Sequence, residues 1–492
     1  LLEAYQRVAF SGIDSIFRGA ASFYTDPPHA PTSTFTAMVG YYAFGPTIWG
    51  PYIANIWVFG VFVTVVFVIA RSRLAPAPSM MLTTAMAFAP VAHAMITEFR
   101  PDMGAGAIFG FAIYLLLTTD YEVTPRPKLI LVGLAAAAAI IAKPSACIIS
   151  VPMVGLSFVL AVLRPGHRSL FRGIGPILKG AAITGAAALT LLIPAALILG
   201  KQTAQYIYEA LVVQHDIWAT PGDRLFHWTY HAWGPGGSLG LGGFFYIGLL
   251  VIGVDLIRSM NRLSALSNYK AASFYLAVTL IYCGMATSAE KTGFQGSFFY
   301  VPFLFATTLG FARLTDDLAG FMPSLSRAAP ALFLLAVALS FPAATLYNRD
   351  SYSAYYQVNT LAIQHEVAQA VLDQLRSRLP QGCKGGAPII TAIAPEPITP
   401  ESVALEIAMT RNIRLEASNI FYAHSAQEII AQAQNATFVL IPNKWGVDRS
   451  GSWNPSAKFL AETSAALGAD RSWRKLVMSG RDPVILFART AC

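Results

Sequence analysis

Charge is what this sequence has least of. Only 12% of its 492 residues are Asp, Glu, Lys or Arg, about half the roughly 25% of a soluble globular domain. That scarcity, with 55% hydrophobic residues and repeated apolar runs, excludes an ordinary water-soluble chain and points to a multi-span membrane protein. Cysteine is also scarce: there are four and no Cys-x-x-Cys. Cys147 and Cys283 lie in apolar runs and read as core residues. Cys383 and Cys492 lie in the polar C-terminal part, and pairing them requires an oxidising compartment and a proximity that sequence alone does not give. There is no P-loop, no Gly-x-Ser-x-Gly and no His-Glu-x-x-His, and Gly382, Gly385 and Gly386 are poorly spaced to cradle a phosphate. No nucleotide cofactor is therefore expected. Internal repeats, low-complexity tracts and basic clusters interleaved with aromatics are missing too, which leaves no footprint for a nucleic-acid partner.

What is present is a series of ten apolar segments, near 47–70, 79–97, 103–119, 128–142, 145–163, 175–199, 239–258, 271–288, 297–313 and 327–347. The connections between them divide the basic residues unevenly. One set holds thirteen, among them Arg71, Arg73, Arg126, Lys128, Arg258, Arg262 and Arg313; the alternate set holds five, Arg100, Lys143, Lys201, Arg224 and Lys291. The positive-inside rule puts the first set in the cytoplasm and the second outside. Asp26, Asp102, Asp216 and Asp223 fall on the external side. Acids contribute little to orientation, so their clustering there needs another reason.

Three regions follow: an external loop with interfacial helices over 1–46, a membrane core over 47–347 and an external domain over 348–492. In the last, buried-strand runs such as Pro388–Ile393 and Thr437–Ile441 alternate with helix-like stretches at 356–379, 400–411, 425–434 and 456–467. This pattern predicts a small α/β domain, closed by a hairpin around Ser479–Asp482.

Four constellations bear on chemistry. The first is Tyr24-Thr25-Asp26-Pro27-Pro28-His29-Ala30-Pro31, polar and stiffened by three prolines; its acid either caps the following helix or serves a site, with a divalent metal held by Asp26 and His215 as one form of that site. The second is Phe99-Arg100-Pro101-Asp102, where Arg100 and Asp102 either pin a helix hairpin as a pair or present a carboxylate to a cleft. The third is Lys143-Pro144, a sharp turn between two spans. The fourth is the aromatic stretch 200–238, with His215, Asp216, Arg224, His227 and His231; His227 and His231 would share a face on a helix. Lys143, Lys201, Arg224 and Lys291 are each either interfacial anchors or jointly a site for an anionic lipid phosphate.

In this order the acidic Pro-Pro loop, the Arg-Pro-Asp that opens a span, and the Ala-rich span ending Ala142-Lys143-Pro144-Ser145 resemble the GT-C membrane glycosyltransferases. The nearest branch is the family 39-like one, which includes bacterial relatives of protein O-mannosyltransferases and the lipid A aminoarabinose transferase. The resemblance covers about residues 20–347, and Asp102 and Lys143 match its pattern best. It implies a polytopic α-helical core with an appended extracytoplasmic α/β domain, with ten spans visible here and a first span lost with the N-terminus. It implies a multi-pass enzyme of the bacterial inner membrane, with its site and C-terminal domain in the periplasm. The expected reaction is transfer of a sugar from a polyprenyl-phosphate donor to a lipid, glycan or protein acceptor, with inversion. Asp26 and Asp102 are the expected catalytic acids, and Lys143, Arg224 and Lys291 the expected donor-phosphate ligands. The family's usual acid falls at or before residue 1, with Glu3 and Asp14 as weak stand-ins, and Thr25-Asp26 replaces the acid-Lys pair of the aminoarabinose branch. A non-catalytic scaffold on the same fold is the alternative. A transporter is disfavoured, because it would place polar groups in mid-span.

Overall fold

The structure is a computed structural model. It describes residues 1–10, 16–97, 99–162, 174–213, 220, 222–260, 263, 265–289, 291, 293, 295–356, 360–378, 388–393, 398–420, 423, 425–442, 455–476 and 484–490.

Each of the ten apolar segments is helical. Among the described residues, seven helices are long and apolar enough to cross a membrane: Trp49–Arg71, Pro101–Thr118, Pro144–Val162, Gly175–Tyr208, Leu266–Thr287, Ser297–Ala319 and Pro323–Ser340. The pair α6 (Pro76–Ala87) and α7 (Pro90–Thr97), bent by 71° at the break, is either an eighth span, broken, or a re-entrant loop. Pro90 lacks the N–H that would continue the ladder there. Two more of the ten expected spans, α9 (Arg126–Ile141) with 16 residues and α14 (Phe244–Met260) with 17, are helical and fall just short of a crossing length. A helix needs about 20 residues to cross a bilayer.

The core of the bundle lies around α8 (Pro101–Thr118) and α16 (Ser297–Ala319), with Phe62 of α5 (Ile56–Arg71), Phe109 and Phe305 fully buried between them. Lipid is as apolar as a leucine side chain, so close approach of backbones rather than hydrophobicity drives such packing. Gly106 of α8 makes that approach: a Cβ there would lie 2.7 Å from the Ser297 carbonyl oxygen.

One buried polar cluster joins three helices of the bundle. Arg313 of α16 donates from Nε to Asp255 Oδ2 of α14 at 2.8 Å, and from its other nitrogens to Ser259 Oγ, Asn268 Oδ1 and the Ser267 carbonyl. Tyr275 of α15 (Leu266–Thr287) donates to the same Asp255 oxygen at 2.6 Å. By its place in the sequence Arg313 falls with the cytoplasmic loop cations. It is instead nine-tenths buried and satisfied by protein.

After α17 (Pro323–Tyr356) and α18 (Thr360–Arg378) comes the α/β domain. Its sheet runs β2-β1-β3-β5-β4, from β1 (Ile389–Ile393), β2 (Glu416–Ile420), β3 (Phe438–Pro442), β4 (Trp473–Leu476) and β5 (Val484–Arg489). The first three are parallel; β5 is antiparallel to β3 and to β4. Side chains alternate across the sheet, so both faces must be covered. Phe438 and Leu440 pack under α18 and α19 (Pro400–Arg411), and Val439 and Ile441 against α20 (Ala426–Ala433) and α21 (Leu460–Ala469). The predicted strands and helices are thus present, while the turn proposed at Ser479–Asp482 lies outside the described residues.

Candidate functional site

Asp102 and Lys143 come together. Asp102 sits in the first turn of α8 behind Pro101, where an anion faces the positive end of the helix. Its carbonyl oxygen accepts from Ser297 Oγ at 2.7 Å, which ties it to the start of α16. Lys143 precedes Pro144 and takes the extended backbone that a following proline favours (φ −142°, ψ 91°). This carries its side chain back across the end of α9. The Lys143 ammonium meets Asp102 Oδ1 at 2.5 Å, with the two side chains 15% and 11% exposed. The acid of the Arg-Pro-Asp turn is therefore paired with Lys143 rather than with its neighbour Arg100.

The proline loop lies beside this pair. Asp26 N and Thr25 Oγ1 both donate to the Ser22 carbonyl, which closes a turn, and Pro31 starts α3 (Pro31–Phe44). Asp26 does not cap α3: the N-cap is Ala30 and accepts no side-chain bond. Its carboxylate faces Arg7 of α1 (Leu2–Ala9) instead, at 3.0 Å. His29 stacks on Tyr206 of α11 (Ile174–Tyr208), with ring centroids 4.9 Å apart. The imidazole keeps a solvent-exposed edge. Crowding, and then the charge of Lys143, hold its pKa below the ordinary value, while Glu3 and Asp102 pull it upward. That coupling places Glu3, His29, Asp102 and Lys143 within one electrostatic neighbourhood. His29, Ser145, Gln202, Thr203 and Tyr206 line a cleft there, with Pro28 and Pro144 at its apolar edge.

The other expected phosphate ligands lie apart from it. Lys291 is buried and donates from Nζ to the Met285 and Ala286 carbonyls at 2.6 and 2.9 Å, closing the end of α15. Burial lowers its pKa to about 8, so it remains a cation at pH 7. Beside it is His231, 1% exposed, whose Nδ1 shares a 3.0 Å hydrogen bond with the Tyr300 hydroxyl. Burial, and then Lys291, push the His231 pKa down to about 3. Arg224 is exposed at the start of α12 (Arg224–Thr229), whose N-cap Asp223 accepts from Phe226 N at 2.7 Å. Among the described residues, no hydrogen bond or ion pair links Arg224 or Lys291 to the Asp102–Lys143 pair. His227 and His231 do not share a helix, because α12 ends at Thr229.

The metal expectation rested on Asp26 and His215, and His215 lies outside the described residues. Among the described residues no three His, Cys, Asp or Glu side chains converge. The cation that faces Asp26 is a guanidinium, which would repel a second positive charge. Among the described residues, therefore, no donor set for a divalent ion is complete. Cys383 and Cys492 likewise lie outside the described residues.

Arg7 escaped the sequence reading. The visible signal was Glu3 and Arg7 four residues apart on one amphipathic helix, a spacing that puts both on one face.

No protein-family model matches the sequence. No curated protein matches it either. Solved structures do. The crystal structure of ArnT from Cupriavidus metallidurans in the apo state aligns over 99% of this chain and 93% of its own, with a TM-score of 0.55 and 13% identity. The same protein bound to undecaprenyl phosphate aligns over the same shares, with a TM-score of 0.53 and 12% identity. The chain has the GT-C fold. At this identity the likeness is one of fold, and it spans the bundle and the C-terminal domain together. On the GT-C fold, the span ends that carry Asp102 and Lys143 and the proline loop form one cleft-bearing surface.

Proposed function

We propose that the protein transfers a sugar from a polyprenyl-phosphate donor to an acceptor at the periplasmic face of a bacterial inner membrane. The observation that carries this reading is the Asp102–Lys143 pair at 2.5 Å, set at helix ends beside a cleft on a GT-C fold. A solved protein of that fold holds undecaprenyl phosphate. The cleft supplies uncharged hydrogen-bonding groups, His29, Ser145, Gln202 and Thr203, and an aromatic ring, Tyr206. The cleft's volume of about 10 Å³ is room for one water, so in this reading a sugar would open it and meet these groups.

In this reading the acceptor oxygen attacks the anomeric carbon as the bond from that carbon to the phosphate oxygen breaks. Configuration inverts, and the polyprenyl phosphate leaves with the bonding pair. The Lys143 ammonium, held ready by Asp102, neutralises the phosphate charge that develops. Asp26 projects its carboxylate into solvent, 83% exposed, and takes the acceptor's proton. Arg224, which is exposed, remains an outer phosphate ligand in this reading, whereas Lys291 would first have to leave the Met285 and Ala286 carbonyls.

The test is transfer from synthetic polyprenyl-phosphate sugars (mannose, glucose, aminoarabinose and galacturonate) in nanodiscs, with wild type beside Asp26→Ala and Asp102→Ala. Turnover by wild type that is lost in both variants is expected. Folded wild type that neither binds nor turns over any donor would replace the enzyme with a scaffold.

A further inference from the structure

The most heavily bonded cation near the site is Arg7, which the reaction above does not use. Its guanidinium donates to Ser22 Oγ at 2.6 Å, Glu3 Oε1 at 2.9 Å, Asp26 Oδ2 at 3.0 Å and the Asp26 carbonyl oxygen at 2.5 Å. It also lies 5.1 Å above the ring of Phe23. Its side chain is 6% exposed while that of Asp26 is 83% exposed. An exposed ion pair holds little, because water competes for both partners. Here the cation is sequestered, and it grips the backbone and the carboxylate of one residue together. That arrangement fixes where the loop lies and where its acid points. Three of these contacts converge on one terminal nitrogen and Ser22 is met by the other, so the single nitrogen of a lysine could not reach both sides.

The helix that carries Arg7 is itself seated on the C-terminal domain. Ala4 and Tyr5 of α1 pack with Ala37, Met38 and Tyr41 of α3 and with Leu405 and Ala408 of α19. Gln6 Nε2 donates to the Leu415 carbonyl at 2.8 Å, and the Tyr5 hydroxyl to the Ala408 carbonyl at 3.4 Å. Arg7 therefore stands between the sheet domain and the proline loop.

We propose that Arg7 is the positioning residue of the site: it fixes the Asp26 loop beside the Asp102–Lys143 pair, on a helix that the C-terminal domain holds in place. Its consequence for turnover rests on the transferase reading; its consequence for the loop does not.

The experiment uses the full chain in nanodiscs, as wild type, Arg7→Gln, Arg7→Lys and Ser22→Ala. Hydrogen exchange of residues 22–30 is measured beside kcat and KM with the best donor. In Arg7→Gln, exchange in 22–30 rises about 10-fold or more while α8 and α16 keep their protection, since only a local opening is released. Its kcat falls about 100-fold, the scale of a misplaced reacting group, and the donor KM changes little. Arg7→Lys recovers part of both effects. Ser22→Ala, which removes one contact and keeps the cation, shows the same changes on a smaller scale and decides the matter if Arg7→Gln does not fold. Unchanged exchange in 22–30 overturns the proposal, and so does faster exchange with an unaltered kcat. If wild type transfers no sugar, the transferase reading fails, and the exchange data alone uphold or overturn the anchoring role.

Discussion

Two of the buried acid–base pairs among the described residues of this bundle are built differently. Asp255–Arg313 is 1% and 10% exposed, and Arg313 has further acceptors on α14 and α15 while Tyr275 reinforces the acid. Asp102–Lys143 is similarly buried, at 11% and 15%, yet among the described residues the Lys143 ammonium has Asp102 as its one acceptor. The first arrangement engages all three nitrogens of its arginine. The second leaves a lysine with donors to spare beside a cleft and a proline loop. In a pair that holds helices together the cation is engaged by several neighbours; in a pair that does chemistry it must keep donors for a ligand.

The largest expected effect separates the pairs by stability. Removing one partner of a buried pair strands the other charge, at a cost of about 3–5 kcal/mol. Arg313→Met should therefore lower the unfolding midpoint in detergent sharply, and a midpoint close to wild type would show that the cluster is no latch. Next is ligand affinity. Lys143→Met should weaken binding of polyprenyl phosphate about 10- to 100-fold, the loss of a charge-assisted hydrogen bond. Arg313→Met that still folds should bind as wild type does, and equal losses in both variants would erase the contrast.

A third prediction concerns pH. His231 has a folded pKa of about 3, far below its unfolded value, so between pH 6.5 and 3 the unfolded chain binds a proton that the native one refuses. Stability attributable to it is complete above about pH 6.5 and declines by about 1.4 kcal/mol per unit as pH falls. Unfolding midpoints from pH 7 to 5 should drop in wild type and drop less in His231→Phe. Identical slopes would mean that His231 is not held neutral. The smallest effect is expected from chelation: the charge opposite Asp26 is Arg7, so EDTA should change transfer by less than about 2-fold. Abolition by EDTA with recovery on adding zinc or manganese would make Asp26 a ligand.

The elements were legible where their signal is local. Long apolar runs gave every predicted helix, and Pro388–Ile393 and Thr437–Ile441 gave strands, because each pattern is contained in the segment itself. Asp102 and Lys143 could be singled out separately from the turns they occupy. Their pairing could not, since it depends on how α8 packs against α9 and α16. Arg7 and Asp26 are nineteen residues apart and meet only because the chain folds back between them. Asp255 was hidden for another reason: a charge near the end of an apolar run reads as a boundary residue whether it reaches water or a buried arginine.

The most direct measurement is the initial rate of sugar transfer per folded molecule, with Asp102→Asn and Asp255→Asn compared side by side. The account predicts that Asp102→Asn loses about 10²-fold in kcat, the scale of a misplaced charged group, and less midpoint than Asp255→Asn, which keeps its rate once folded. Equal rates for wild type and Asp102→Asn, or the greater loss of rate in Asp255→Asn, would contradict it.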